Sequence, residues 1–214
     1  LSSYQGKKLS KVEAAEAACR LEIELLGEPI GKQDQYIAAF GGIQCMEIEK
    51  NGKVTVLPLK ISSETLHDLE DNLLMFFTGY SRSASGVLED QKKRSESEDQ
   101  AMLENLHYVK ELGLEIKKAL EAGDPHQFGQ LMHRHWLNKK QRSRSISNEE
   151  INRWYEIGHR SGALGGKLIG AGGGGFLLFY AVDRVRLRKA MAEQGLTEVR
   201  FSFDHEGAKV LVMD

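Results

Sequence analysis

One short stretch of the sequence concentrates side chains that could act on a substrate hydroxyl. Lys32, Gln33, Asp34 and Gln35 follow Gly31 without an intervening apolar residue. An aspartate beside a cation and amide donors can orient an alcohol or accept its proton during group transfer. An isolated loop aspartate also commonly caps a turn. The residues by themselves leave both interpretations open.

A second candidate is the glycine-rich tract at residues 162–175, which holds eight of the 22 glycines. Such a tract can let backbone N–H groups approach a phosphate, or it can form a flexible turn or let a helix pack closely on a sheet. Gly170, Gly172 and Gly175 satisfy the spacing GxGxxG, but a dinucleotide-binding fingerprint requires a strand before the glycines and a helix after them. We predict the reverse order here, which argues against a dinucleotide site.

Basic residues between Lys139 and Arg144 could also contact a phosphate. This segment contains four cations within six residues, although such runs more often form a solvated face. His133 and His135 lie two positions apart on a predicted helix, so they point in different directions and do not form a metal-binding pair.

Composition excludes several classes of protein. The 214 residues include 41% hydrophobic and 28% charged residues with a net charge of −2, so no overall field favours nucleic acid. Cys19 and Cys45 lack disulfide-scaffold or zinc-ligand spacing. The longest uncharged apolar stretch, residues 168–182, has only 15 residues and five glycines, too few to span a bilayer. We therefore predict a cytoplasmic protein without nucleic-acid or membrane partners.

The elements around the polar stretch are predicted from local signals. Ser10 and Glu13 have the spacing of a capping box, which predicts a helix ending near Gly27. Residues 31–42 are interpreted as a loop, with a following helical turn left open. Asn51 and Gly52 favour a hairpin between strands at residues 43–49 and 53–57. We place residues 1–65 in a first domain.

Residues 66–214 are predicted to form an α+β domain. The expected sheet is antiparallel and four-stranded, with helices covering one face. Its predicted strands are Leu73–Phe77, Phe176–Ala181 and residues 199–203 and 210–213. Helices are expected around Met102, from Asp124, from Ser147 and between Asp183 and Gln194.

Three motifs in this order resemble the GHMP small-molecule kinases. They are Gly-Lys-Gln-Asp-Gln-Tyr at residues 31–36 with glycines at 41 and 42, Thr-Gly-Tyr-Ser-Arg-Ser-Ala at 78–84, and Gly-Ala-Gly-Gly-Gly-Gly-Phe at 170–176. The resemblance covers the whole chain and is greatest to sugar 1-kinases. It implies a GHMP-kinase-like fold in which residues 1–65 are the end of an N-terminal α/β lobe and residues 66–214 are the C-terminal domain.

The resemblance also implies a role for individual residues. Asp34 would be the catalytic aspartate that orients or deprotonates the sugar hydroxyl, and Glu22 would bind Mg²⁺. ATP would be the phosphate donor, and a small sugar phosphate the partner. The remaining site residues implied are Lys32, Gln33, Arg82 and Lys140 for substrate, and Gly172, Gly173 and Gly174 for the nucleotide.

The activity implied is phosphorylation of the anomeric hydroxyl of D-glycero-D-manno-heptose 7-phosphate, for synthesis of nucleotide-activated heptose. Alternatives are a fucose- or galactose-type kinase of the same family, or a non-catalytic binding or regulatory module. The family's phosphate-binding loop, Pro-x-x-x-Gly-Leu-Gly-Ser-Ser, does not occur in the 214 residues. We therefore expect this chain to be the later part of a longer kinase and to be inactive alone.

Overall fold

The computed structural model describes Gly6 and residues 8–79, 88–89, 92–93, 99–142, 146–170 and 174–211. The chain divides into two compact units, Leu1–Leu59 with Ser202–Asp214, and Lys60–Phe201. The described residues after 201 thus return to the first unit, whereas the sequence assigns them to the second domain. Within the described residues, no helix has both the length and the apolar character that crossing a bilayer requires.

The first unit begins with helix α1, Lys11–Cys19, whose predicted capping box is confirmed. The Ser10 side chain accepts the Glu13 N–H, and the Glu13 carboxylate accepts the Ser10 N–H. The helix continues into a π-helical segment, Arg20–Leu25. Such segments are frequent at functional sites because the wider turn redirects side chains.

Helix α2, Gln33–Phe40, occupies most of the segment interpreted as a loop. That interpretation is wrong because the stretch is amphipathic: buried Tyr36 and Ala39 pack with Ala15 and Cys19 of α1. The polar residues at its start lie on the exposed side or in the first turn. The predicted hairpin follows as β1, Gln44–Ile48, and β2, Val54–Pro58, paired antiparallel.

The second unit contains a four-stranded antiparallel sheet backed by helices, so the predicted fold class is confirmed. The strand order is β4-β5-β3-β6. In chain order the elements are α3 (Ser63–Asn72), β3 (Leu73–Phe77), α4 (Gln100–Glu121), α5 (Pro125–Arg142), α6 (Glu149–Arg160), β4 (Ala163–Ile169), β5 (Phe176–Ala181), α7 (Arg184–Glu193) and β6 (Thr197–Val199).

The fourth strand differs from the prediction. It is β4, whereas Val210 and Leu211 lie outside any strand, and residues 212 and 213 lie outside the described part of the chain. Val210 and Leu211 are 68% and 72% exposed, so their apolar alternation has no sheet partner to pack against. The strand predicted at residues 199–203 shares only Val199 with β6. Strand β4 was not predicted because it contains glycines, which have a low strand propensity.

Aromatic side chains dominate the core of the second unit. Trp136, Tyr155 and Phe179 are fully buried, and Phe76 is nearly so. They belong to one apolar cluster formed by the sheet and its covering helices. Buried aromatic side chains contribute large apolar areas, so this unit has a substantial core of its own.

Candidate active site

An open cleft of about 470 Å³ lies in the first unit. Its apolar walls are formed by five alanines and one isoleucine, and the small alanine side chains leave room for a ligand. These residues are Ala14, Ala18, Ile30, Ala38, Ala39 and Ala208. Three polar residues complete the lining: Glu22, Asp34 and Gln35. A concave apolar surface with a few convergent polar groups is typical of small-molecule sites.

The polar residues come from two helical elements. Glu22 belongs to the π-helical segment, whereas Asp34 and Gln35 belong to the first turn of α2. Asp34 is exposed, and Gln35 is only 7% exposed. Gln35 Nε2 donates a hydrogen bond of 2.9 Å to Glu22 Oε2. The structure therefore brings together the predicted catalytic and metal-binding carboxylates and connects one of them to a buried amide.

The donor set of the cleft is compatible with Mg²⁺. Carboxylate and amide oxygens are suitable ligands, and Mg²⁺ is usually held by one or two carboxylates together with substrate phosphates and waters. Gln35 Oε1 is buried and accepts no hydrogen bond, so the accessible oxygens of the cleft are those of the Glu22 and Asp34 carboxylates. Across the described residues, no three His, Cys, Asp or Glu side chains form a metal-binding group. Further ligands would therefore have to come from substrate or solvent.

The predicted substrate contacts on α2 lie beside the cleft rather than among its lining residues. Lys32 Nζ lies 3.0 Å from Glu16 Oε1 and 3.0 Å from the Gly52 carbonyl oxygen. Gln33 is exposed, and its amide oxygen lies next to Gly31. Lys32 is thus engaged within the first unit, and substrate binding by Lys32 and Gln33 stays a prediction.

The other predicted site residues belong to the second unit or lie outside the described residues. Lys140 Nζ is 5.7 Å from the centre of the Trp136 ring, a cation–π contact. Gly174 is buried. Arg82, Gly172 and Gly173 lie outside the described residues. The roles of all five stay predictions.

Part of the glycine tract serves close packing. A β-carbon on Gly165 would lie 2.6 Å from the backbone nitrogen of His133 and would also collide with the Gly129 carbonyl oxygen of α5. A β-carbon on Gly166 would lie 2.5 Å from the Leu178 carbonyl oxygen. These two glycines let a helix and a neighbouring strand approach β4.

The order of elements around the glycine loop differs in part from the prediction. Strand β4 precedes the loop, so a strand rather than a helix comes first. Strand β5 follows it, as predicted. A helix is required at that place in a dinucleotide-binding fingerprint, so the exclusion of that fingerprint stands.

Sequence reasoning missed Lys139 as a contributor to this loop. Lys139 is buried, and its ammonium group donates 2.6 Å to the Gly170 carbonyl oxygen, where β4 ends. Its place in the basic segment was the available signal, but a run of cations does not distinguish a buried lysine from a solvated one. Lys139 therefore binds the backbone at the end of β4, through the carbonyl oxygens of Leu168 and Gly170.

Part of the second unit matches a known family. Residues 116–196, from α4 to the segment before β6, match the family described as GHMP kinases C terminal. This stretch is a GHMP kinase C-terminal domain. The match includes the third motif of the resemblance, at residues 170–176, and it covers the end of α4 and the elements from α5 to α7.

Proteins similar to this chain include sugar kinases. The D-glycero-alpha-D-manno-heptose 7-phosphate kinase of Campylobacter jejuni is 36% identical over 204 residues, covering 94% of this chain and 59% of that protein. The bifunctional fucokinase/GDP-fucose pyrophosphorylase of Arabidopsis thaliana is 29% identical, covering 83% of this chain and 17% of that protein. The chain thus spans about three-fifths of the heptose kinase and much less of the bifunctional enzyme.

A solved kinase structure extends the similarity to both units. The D-glycero-D-manno-heptose 1-phosphate kinase from Bacteriodes thetaiotaomicron superposes with a TM-score of 0.69 at 26% identity. The match covers 99% of this chain and 59% of that one. The similarity therefore includes the elements that carry the cleft as well as the family domain.

Proposed function

We propose that this chain is part of an ATP-dependent sugar kinase that phosphorylates the anomeric hydroxyl of D-glycero-D-manno-heptose 7-phosphate in the cytoplasm. The observation that carries the proposal is the convergence of Asp34 and Glu22 on one cleft, with Gln35 bonded to Glu22. The similarity to a heptose 7-phosphate kinase over 94% of the chain supports this substrate class.

Asp34 would act on the acceptor. The sugar hydroxyl oxygen forms a bond to the γ-phosphorus of ATP while the bond from that phosphorus to the ADP oxygen breaks, and Asp34 orients the hydroxyl or accepts its proton. Asp34 is suited to this role because it is exposed to the cleft at the start of a helix. Catalysis of phosphoryl transfer depends chiefly on positioning and charge stabilisation.

Glu22 would hold Mg²⁺, whose charge would stabilise the phosphate oxygens. The bond from Gln35 Nε2 restrains the Glu22 carboxylate, so the ligand is preoriented. Gly172, Gly173 and Gly174 remain our proposed contacts to the nucleotide, and Lys32, Gln33, Arg82 and Lys140 our proposed contacts to the sugar phosphate.

A fucose- or galactose-type kinase is the second candidate. The 29% identity to the bifunctional fucokinase favours keeping it, because the cleft residues alone do not specify the sugar. A non-catalytic binding or regulatory module is the third. It would bind ligand without turnover, whereas both kinases would consume ATP.

The test is a substrate panel applied to the complete gene product. We expect ATP consumption with heptose 7-phosphate to exceed that with fucose or galactose, and ³¹P NMR should locate the new phosphate at the anomeric carbon. Glu22→Gln should lower the apparent affinity for Mg²⁺. Glu24→Gln is the matched control, because Glu24 lies on the same π-helical segment with a side chain 70% exposed.

Each alternative has its own signature in this panel. Preferred turnover of fucose or galactose would replace the proposed substrate while keeping the kinase. Sugar-phosphate binding without ADP formation would favour the non-catalytic module. Equal Mg²⁺ dependence of the Glu22→Gln and Glu24→Gln variants would remove Glu22 from the metal site.

A further inference from the structure

Helix α2 begins without the side-chain cap that other helices of the molecule have. The N-cap residues of α1, α3, α4, α6 and α7 each accept a backbone N–H in the first turn. The N-cap of α2 is Lys32, whose side chain makes no such bond. Uncapped first turns leave backbone donors unsatisfied and are less stable. The turn that carries Asp34 therefore requires support from elsewhere.

Glu16 of α1 provides this support. Both oxygens of its carboxylate accept hydrogen bonds of 3.0 Å from Lys32 Nζ, and the Tyr36 hydroxyl donates to Oε1. Lys32 Nζ also donates to the Gly52 carbonyl oxygen in the β-hairpin turn. A single carboxylate thus binds the residues two positions before and two positions after Asp34. We name Glu16, Lys32 and Tyr36 the bracket.

Helical geometry explains why the bracket leaves Asp34 available. Residues four positions apart share a helix face, whereas the residue midway between them points away from that face. Lys32 and Tyr36 therefore turn toward Glu16 together. Asp34 lines the cleft, and the bracket residues are not among its lining residues.

The charges of the bracket are suited to neutral pH. The hydrogen bonds from Tyr36 and Lys32 lower the pKa of the Glu16 carboxyl group. Burial, followed by the hydrogen bond to Glu16, raises the pKa of the Tyr36 hydroxyl. The carboxylate is consequently ionised and the phenol protonated, as the observed donor and acceptor roles require.

We propose that Glu16 is a positioning residue that acts through Lys32 and Tyr36 to hold Asp34 at the cleft. This inference rests on the proposed kinase function, because the orientation of Asp34 affects turnover only if Asp34 acts on the acceptor. Lys32 would then support the catalytic turn through its bonds to Glu16 and to the Gly52 carbonyl oxygen. Partly exposed ion pairs add little to global stability, so the principal effect should be on catalytic geometry.

The test compares Glu16→Gln and Tyr36→Phe with the parent enzyme, using the complete gene product. Displacing a catalytic group by about an ångström can cost about a hundredfold in rate, so kcat should fall by about ten- to a hundredfold. KM for ATP should change little. Tyr36→Phe keeps the buried ring and removes only the hydroxyl, which protects the test against misfolding of the charge variant. Glu24→Gln serves as the control, with kcat unchanged.

Amide hydrogen exchange provides a readout independent of activity. Exchange at residues 36–40 of α2, whose N–H groups are bonded within the helix, should accelerate in both bracket variants, while exchange at residues 131–136 of α5 should not. Faster exchange in a protein whose parent lacks sugar-kinase turnover would support the bracket and reject the proposed function. Unchanged exchange would overturn the bracket, and so would faster exchange with normal kcat in an active enzyme.

Discussion

The first turn of α2 and the strand β4 are constrained in opposite ways. Asp34 and its neighbours meet an open cleft, where side-chain chemistry matters and space is available. Gly165 and Gly166 lie against a helix and a neighbouring strand with no room for a methyl group. The first stretch is therefore specified by its functional groups, and the second by the small volume of its side chains. Substitutions should therefore affect activity in the first stretch and stability in the second.

The largest expected effect is on turnover. Asp34→Asn keeps the size of the side chain but removes the carboxylate that orients or deprotonates the hydroxyl, so kcat should fall by about 10²- to 10⁴-fold. The melting temperature and KM for ATP should change little, because Asp34 is exposed. Steady-state kinetics of the complete gene product measure kcat and KM, and thermal unfolding measures the melting temperature.

A matched exposed aspartate sharpens this result. Asp71 has a side chain that is 72% exposed and belongs to the second unit. Asp71→Asn should leave kcat at the parent value. Near-normal turnover in Asp34→Asn would mean that the carboxylate in the first turn of α2 is not needed for catalysis. The first turn of α2 would then not differ from β4 in the way described above.

The next effect is on stability. Gly165→Ala would introduce a methyl group 2.6 Å from the backbone nitrogen of His133. Overpacking of this kind lowers the free energy of unfolding by about 1–3 kcal/mol. Because the second unit has its own core, chemical denaturation should detect the loss directly. An unchanged free energy of unfolding would show that β4 can accommodate a methyl group at position 165.

Replacing glycine by alanine at an open position should raise the free energy of unfolding rather than lower it. Gly113 lies in α4 and is exposed, and a β-carbon added there would meet no other atom within 4 Å. Gly113→Ala should increase the free energy of unfolding by about 0.5–1 kcal/mol, because alanine favours a helix interior more than glycine does. Equal losses at Gly113 and Gly165 would attribute the effect to composition rather than to packing.

The smallest effect concerns pH and the packing beside β4. His133 Nδ1 lies 2.8 Å from the Tyr155 hydroxyl, and its ring centre is 4.4 Å from that of His159. Burial, followed by the charge of His159, lowers the pKa of His133 below its ordinary value of 6.5. The folded state then binds fewer protons than the unfolded state as the pH falls below that value.

Stability should therefore be greatest above the ordinary pKa of histidine and decrease as the pH falls through the lowered pKa. Melting temperatures measured between about pH 7.5 and about pH 5.5 should show this slope. His133→Gln should flatten it, whereas exposed His67→Gln should not. The same slope in both variants would assign the acid sensitivity to other groups.

Local signals in the sequence were sufficient for several elements. The Ser10 capping box and the Asn51–Gly52 turn depend on neighbouring residues, and both predictions are confirmed. Helix α3 was missed because the sequence around it was interpreted as the boundary between two domains. Strand β4 was missed because its glycines are required by the helix packed against them, a contact between residues distant in the sequence.

The site was predictable to a different extent. The motif resemblance selected Asp34 and Glu22, and the structure places both in one cleft. The bond from Gln35 to Glu22 and the role of Glu16 could not be predicted. Both depend on how α1 and its π-helical extension lie against α2, which the order of residues along either helix does not reveal.

The return of residues 202–211 to the first unit has a consequence for folding. Lys11 Nζ donates 2.7 Å to the Glu206 carbonyl oxygen, a contact between residues 195 positions apart, and Ala208 lines the cleft. Such distant closures carry a large loop entropy and slow folding. During synthesis the intervening unit can fold first, since domains fold as units as they emerge. The cleft is then completed late, after residues 202–211 have left the ribosome, because Ala208 in that segment is one of its lining residues.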